Sequence, residues 1–287
     1  TLKKNSSQTW NALSSSQKKA VGLALLYGYQ GNRSHLSGSD DEKWLATQTL
    51  VWEFVTGCRE STGAYQQTSQ KAYSLHFGSN YPNSGAAEVY NQIVSLLSKH
   101  NTIPSFMSGG ADDITKELSY QDGKYTMTLT DNNGVLADYS FATSDSKVSV
   151  SKSGNKLTIT SETAFDGSVR ITATRSNVPT VSSSAKLIAY GDPSLQDVVT
   201  GVENADAVKA YLNVETPTGT IALKKTSEDG VVAGISFTIK GENFNKTVTT
   251  DENGNLTVEG LFPGTYTITE QSIDKYEPQE TQTITLI

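Results

Sequence analysis

The hydrophobic pattern of the 287-residue chain changes its period once, at Gly109-Gly110. Before these glycines, apolar residues recur at three- and four-residue spacing, which indicates amphipathic helices. After them, apolar and polar residues alternate, which indicates strands with one buried face. The chain should therefore fold as an α+β region, with a helical subdomain packed on an antiparallel β-sandwich, followed by all-β structure.

Capping residues and helix breakers bound the expected helices. Ser14 and Gln17 form a capping-box pattern, and a polar cap at Ser39 or Asp40 precedes an apolar stretch that Gly57 ends. The helices are expected over residues 14–28, 40–55 and 86–100, with a weaker candidate over residues 66–76.

Proline and glycine divide the rest of the chain. The segment Glu215-Thr-Pro-Thr-Gly219 has the composition of a short linker between domains. A new alternating pattern starts at Thr220. The sequence therefore predicts a helical part over residues 1–108, a β-sandwich part over 109–214, a linker over 215–219 and a second β-sandwich domain over 220–287.

Gln48 stands where the helical pattern expects an apolar residue. At helical spacing it shares a stripe with Trp44, Val51 and Val55, and Trp52 lies beside that stripe. A buried primary amide left without partners costs about 1–3 kcal/mol. Two interpretations follow: a core glutamine hydrogen-bonded to a neighbouring loop, or a side chain whose carbonyl carbon is bonded covalently to another group.

Alternation in the second β-domain places two opposite charges on core-facing positions. Lys225 shares a strand face with Ile221, whereas Lys224 points to solvent. Glu270 shares a face with Tyr266. Because an isolated buried charge is costly, we expect Lys225 and Glu270 to meet.

Charge and composition exclude several classes of partner. The 23 basic and 30 acidic residues give a net charge of −7, and the basic residues cluster no further than isolated pairs. Nucleic acid and anionic membrane surfaces are therefore not expected as partners. No apolar run approaches the roughly 20 residues that span a bilayer, so we expect no membrane insertion in this segment. Abundant Ser, Thr, Asn and Gly in the β-rich part fits an exported bacterial surface protein.

No pattern of catalytic or metal-binding residues is present. The single cysteine, Cys58, excludes an internal disulfide and a multi-cysteine metal site. His35, His76 and His100 lie in unrelated contexts without HExxH, GxSxG or CxxC. A calcium site at Asp131-Asn132-Asn133 is conceivable, but a turn explains these residues without a metal. We expect neither an enzyme nor a cofactor.

Two motifs resemble those of known families. ATQTLVW, residues 46–52, resembles the TQxxΦW helix motif of thioester domains on Gram-positive surface proteins, and LLYGYQGN (25–32) and SGNKLTI (153–159) fit the same proteins. The segment VETPTGTIALKKTSEDG (214–230) runs into a domain similar to the collagen-adhesin B-type, or SpaA-type, isopeptide modules. LFPGTYTITE (261–270) is characteristic of those modules, which have an Ig-like, prealbumin-type β-sandwich fold.

The thioester-domain resemblance implies a covalent adhesin. In that family a glutamine is joined to a cysteine as an internal thioester, and an amine of a host protein, such as a lysine, attacks the carbonyl. Gln48 matches the glutamine, and Trp44, Thr47 and Trp52 would form its pocket. The family cysteine lies on an upstream strand, so we expect it before Thr1. Cys58 is a poor substitute, because helical side chains lean toward the N-terminus and away from it.

The SpaA-type resemblance implies an intramolecular isopeptide bond. Lys225 would be its nucleophile and Glu270 the assisting acid. In the family the acceptor is an asparagine or aspartate on the final strand, and residues 281–287 contain neither. We therefore expect the acceptor beyond the end of the chain and an unreacted Lys225–Glu270 pair within it.

Together the resemblances imply an extracellular protein anchored to a cell wall, with signal and anchor segments outside this chain. Two alternatives stay open. One is a stalk or pilus-like structural protein that binds nothing covalently. The other is a glycan-binding surface protein, for which exposed tyrosines such as Tyr65, Tyr73 and Tyr81 are the only indication.

Overall fold

The computed structural model describes residues 2–31, 33–78, 84–274 and 276–287. These residues form two compact units. The first comprises Thr1–Gly109, Asp131–Phe141 and Ala173–Ala210, and the second comprises Gly110–Thr130, Ala142–Thr172 and Tyr211–Ile287. All α-helices of the described residues lie in the first unit.

Two of the helices begin at the capping residues that the sequence indicates. Ser14 with Gln17 and Ser39 with Glu42 form capping boxes. Gly57 adopts the left-handed conformation, with a φ of 74°, and ends the helix that Ser39 caps. The predicted helix over 40–55 is confirmed to within one residue. The helices are α1 (Gln8–Ala12), α2 (Ser15–Tyr27), α3 (Asp40–Thr56), α4 (Lys71–Phe77) and α5 (Ser84–His100), with 3-10 turns at Arg33–His35 and Leu136–Asp138.

The weaker helix candidate over 66–76 is wrong at its start, because α4 begins only at Lys71. The residues before it form a loop instead. Thr68 and Ser69 each donate a backbone N–H to the Cys58 carbonyl, at 2.8 and 3.1 Å. These bonds fold the loop back onto the end of α3.

One apolar core holds the helices of the first unit together. It is formed by fully buried side chains of α2, α3 and α5, among them Leu25, Leu50, Phe54, Ile93 and Leu97. The face of α3 that carries Leu50 and Phe54 is the one that this core covers. None of the described helices has the length and apolar character needed to cross a lipid bilayer.

The strands follow the predicted change of period, so the fold class is confirmed. Up to residue 215 they are β1 (Lys3–Lys4), β2 (Thr115–Glu117), β3 (Ser119–Gln121), β4 (Lys124–Thr130), β5 (Tyr139–Thr143), β6 (Val148–Ser153), β7 (Lys156–Ser161), β8 (Ser168–Arg175), β9 (Ile188–Asp192), β10 (Leu195–Thr200) and β11 (Lys209–Glu215). They form sheets with the strand orders β1-β9-β10, β3-β4-β7-β6 and β2-β11-β8-β5. The pairing of β2 with β11 departs from the antiparallel expectation, because these two strands are parallel.

The C-terminal residues form a separate sandwich with its own core. Its strands are β12 (Gly219–Lys224), β13 (Ser236–Gly241), β14 (Phe244–Thr249), β15 (Asn255–Leu261), β16 (Gly264–Glu270) and β17 (Gln282–Leu286). The antiparallel sheets β12-β15 and β14-β13-β16-β17 share a core to which Ile221, Phe237, Ile239, Leu256 and Tyr266 contribute. The predicted second β-sandwich is therefore confirmed.

Candidate functional site

Gln48 lies in the middle of α3, on the wall of an open cleft of about 760 Å³ in the first unit. Aromatic and aliphatic side chains of α3 form the wall around it. The remaining lining comes from the segment around α1, from β9 and β10, and from Gln30 and His76. The α3 residues are Trp44, Leu45, Val51, Trp52 and Val55.

The helical pattern predicts a largely buried Gln48; its side chain is half-buried, neither exposed nor enclosed in the core. Trp44, on the same stripe, is 49% exposed. Helix α3 has apolar residues on more than one face, and the core covers the face of Leu50 and Phe54. The stripe of Gln48 forms a cleft wall instead, so a small molecule or a side chain can reach the Gln48 amide.

The Gln48 amide forms no hydrogen bond with another residue in the part of the chain that the structure describes. The interpretation of Gln48 as a core glutamine held by a neighbouring loop therefore finds no support among these residues. The amide is instead directed to the open cleft.

Thr47 does not line this cleft. It is fully buried on another face of α3, where its hydroxyl donates to the Lys43 carbonyl at 2.7 Å and accepts the Tyr29 N–H at 2.9 Å. A Cβ at Gly28 would lie 2.3 Å from Thr47 Oγ1, so the close approach of the two segments requires glycine there. Thr47 thus fixes the chain after α2 against α3.

His76 is also part of the site, although no sequence pattern indicated it. It lies on α4 and lines the cleft. Its Nδ1 is 3.0 Å from Thr49 Oγ1, and its ring packs against Trp52 with centroids 5.0 Å apart. Burial lowers the pKa of His76 below its ordinary value, which favours the neutral imidazole.

Cys58 lies outside the lining of the cleft. It is a buried free thiol just after α3, with its Sγ 3.3 Å from Thr56 Oγ1. Its carbonyl holds the loop that leads to α4. These contacts give Cys58 a structural role.

A buried ion pair that the sequence did not reveal anchors the same loop. Glu53 on α3 accepts the Arg59 Nε–H at 2.6 Å, and both side chains are at most 4% exposed. Tyr90 of α5 donates its hydroxyl to Glu53, and Gln67 donates its amide to the same carboxylate, at 2.8 and 2.6 Å. Arg59 also donates to the Tyr65 carbonyl at 2.6 Å. The network holds the loop between α3 and α4 in place.

In the C-terminal sandwich, Lys225 and Glu270 meet as strand alternation predicted. Lys225 Nζ lies 2.8 Å from Glu270 Oε1, with the two side chains 16% and 5% exposed. The second carboxylate oxygen accepts the Gln279 N–H at 3.1 Å. Lys224 is exposed. Strand β17 carries neither asparagine nor aspartate, so it offers no acceptor of the family type to Lys225.

The turn at Asp131 is explained without a metal. The Asp131 carboxylate accepts N–H bonds from Ser105, Asn133, Val135 and Leu136 at 2.8 to 3.1 Å. Burial opposes the charged form, but these bonds outweigh it and lower the pKa of Asp131. Across the described ranges, no group of three or more His, Cys, Asp or Glu side chains is placed to hold a metal ion.

The tyrosines suggested for glycan binding do not form an exposed platform. Tyr65 is buried, and Tyr73 packs against the helical core. Tyr81 lies outside the described residues.

Comparison with known proteins assigns the C-terminal sandwich to a domain family. Residues 219–286 match the family of SpaA prealbumin-like fold domains, which confirms the SpaA-type module that the sequence predicted. No curated protein matches the chain.

Several solved structures are similar to the chain at low identity. The Bacillus anthracis TIE protein is 18% identical with a TM-score of 0.32, over 93% of this chain and 52% of that one. The thioester domain of the Staphylococcus aureus TIE protein is 18% identical with a TM-score of 0.43, over 75% and 76%. BcpA, the major pilin subunit of Bacillus cereus, is 15% identical with a TM-score of 0.23, over 57% and 55%. The chain thus spans about half the length of the first and third structures.

Proposed function

We propose that the protein is a surface adhesin of a Gram-positive bacterium that attaches covalently to a host protein through the Gln48 side chain. The observation that carries this proposal is the place of Gln48. Its amide has no hydrogen-bond partner among the described residues, faces an open cleft lined by Trp44 and Trp52, and lies in the motif ATQTLVW. The proposed ligand is a primary amine on a host protein, such as a lysine side chain.

The chemistry requires two balanced steps. A cysteine thiol attacks the Gln48 side-chain carbonyl, an S–C bond forms, the C–N bond breaks, and ammonia leaves with the thiol proton. A host amine then attacks the same carbon, the C–S bond breaks, and the thiol is released as a stable amide forms. Trp44 and Trp52 favour these two steps, because their apolar side chains cover part of the surroundings of the acyl carbon against competing water.

The thiol in this proposal comes from a cysteine upstream of Thr1. Cys58 does not line the Gln48 cleft and is held in the loop after α3. The segment around α1, from Ser7 to Leu13, does line it. A residue that precedes this segment is therefore better placed than Cys58 to reach the Gln48 carbonyl.

The C-terminal sandwich would serve as a stalk domain that carries the adhesive unit away from the cell wall. Lys225 would attack an asparagine or aspartate beyond Ile287, with loss of ammonia or water, and Glu270 would supply the proton. Their 2.8 Å contact and low exposure support this part of the proposal. An extended protein should have the corresponding lower mass, and Glu270→Ala should abolish the loss.

A second candidate function is a pilus-like spacer without covalent binding, favoured by the SpaA-type domain at residues 219–286. Intact mass separates the two candidates. With the native sequence upstream of Thr1 present, the adhesin should be lighter than its sequence by one ammonia, and Gln48→Ala should restore the sequence mass. A protein of unchanged mass with the fold intact would favour the spacer.

A further inference from the structure

We infer that His76 is the base that accepts the proton of the amine attacking the Gln48 carbonyl. The inference rests on the proposed function, since it assigns a residue to the second of its two steps. It stands on the position of His76 in the cleft and on the hydrogen bonds that fix its imidazole.

The hydrogen bonds around Thr49 determine which ring nitrogen carries the proton. Thr49 is fully buried, and its hydroxyl donates its only hydrogen to the Leu45 carbonyl at 2.9 Å. We therefore assign Thr49 Oγ1 as the acceptor at its 3.0 Å contact with His76 Nδ1. The proton of the neutral ring lies on Nδ1, which leaves the Nε2 lone pair to act as a base.

The His76 ring is connected to Gln48 through Trp52 of α3. Trp52 follows Gln48 by four residues, so the two side chains are neighbours on one helix face. The His76 ring packs against Trp52, and all three residues line the same cleft. Nε2 has no hydrogen-bond partner within the described residues. The ring is thus held at one nitrogen and free to accept a proton at the other.

Two further groups of the cleft suit an incoming amine. Gln30 Oε1 is buried and has no hydrogen-bond partner among the described residues, so it can accept an N–H of the amine. His76 and Asp197 are the two titratable side chains among the described residues that line the cleft. Bonds from the Ser7 hydroxyl and the Thr9 N–H lower the pKa of Asp197, which keeps a negative charge near the entering cation.

The role of His76 follows from the proton balance. Attack by a neutral amine gives a tetrahedral intermediate whose nitrogen carries a positive charge. His76 Nε2 takes one proton from that nitrogen, the C–S bond breaks, and the imidazolium returns the proton to the leaving sulfur. The amide and the free thiol result, and the histidine regains its initial state. A neutral imidazole with a free Nε2 is the form this step requires.

The test is the rate of methylamine uptake by the protein that carries its native sequence upstream of Thr1. His76→Gln should form the thioester normally, with the mass lower by one ammonia, but should take up methylamine at least about 100-fold more slowly. The pH profile of the wild-type rate should include a titration that the variant lacks. Thr49→Val should slow uptake, whereas Thr49→Ser, which keeps the hydroxyl, should not.

His35→Gln is the matched control, since His35 lies in the 3-10 turn at Arg33–His35, outside the lining of the Gln48 cleft. It should react at the wild-type rate. If His76→Gln holds the thioester but keeps the wild-type rate and pH profile, the assignment of His76 is wrong and the proposed function survives. If His76→Gln folds but forms no thioester, the assignment to the second step is also wrong. If no protein loses ammonia, the proposed function itself fails.

Discussion

Lys225 Nζ lies 2.8 Å from Glu270 Oε1 in the core-facing part of the C-terminal sandwich. Lys225→Met should lower the free energy of unfolding of this sandwich by about 3 kcal/mol, because it leaves the Glu270 carboxylate without its counter-charge. Lys224→Met is the control, since the neighbouring lysine is exposed, and it should change the unfolding midpoint little. Urea unfolding of the whole chain measures both. Equal effects of the two variants would contradict a buried pair.

Loss of the buried Glu53–Arg59 pair should destabilise the first unit more than loss of the exposed Lys19–Asp206 pair. Arg59→Met leaves a carboxylate that is 0% exposed without its cation, so we expect a loss of about 3–5 kcal/mol in the free energy of unfolding. The exposed Lys19–Asp206 pair is the control, and Lys19→Met should give no resolvable change. A small effect of Arg59→Met on the denaturation midpoint would show that the network of Glu53 and Tyr90 does not hold the loop.

His100 should make the first unit less stable as the pH falls. Burial, and then the charge of Arg175, lower the pKa of His100 from its ordinary 6.5 to about 4. Between these two values the unfolded chain binds the proton and the folded chain does not. The stability is therefore complete above about pH 6.5 and falls by up to about 3 kcal/mol toward pH 4.

Unfolding midpoints between pH 7 and 5 test this dependence. His100→Gln should reduce the slope, whereas the wild type and the variant share the contribution of His76, whose pKa burial also lowers. The Tyr27 hydroxyl, 3.0 Å from His100 Nδ1, can still bond to the glutamine. The same slope in both proteins would show that His100 is not buried in its neutral form.

Local sequence signals predicted the helices and strands well, because the contacts that determine them join residues only a few positions apart. The capping boxes of Ser14 and Ser39 fix where α2 and α3 begin. The alternation that runs through β12 and on to Lys225, the residue after its end, distinguished Lys225 from Lys224. The division into consecutive segments at residues 108 and 215–219 stays a prediction.

Contacts between distant elements were not predictable in the same way. Helix α3 has apolar residues on several faces, so periodicity could not decide whether the Gln48 stripe meets the core or a cleft. His76 lies on α4, a short helix whose apolar pattern in the sequence is weak. Nothing in a single sequence indicates that Glu53 on α3 meets Arg59 and Tyr90, or that β2 pairs with β11 in parallel.

The most direct test of the central claim is the site at which a small amine becomes attached. The protein with its native sequence upstream of Thr1 should be treated with methylamine, digested and analysed by mass spectrometry. We expect one methylamine per chain, on the Gln48 side chain, with one thiol newly free to react, and we expect none with Gln48→Ala. Methylamine on another residue, or none on a folded protein, would contradict the account.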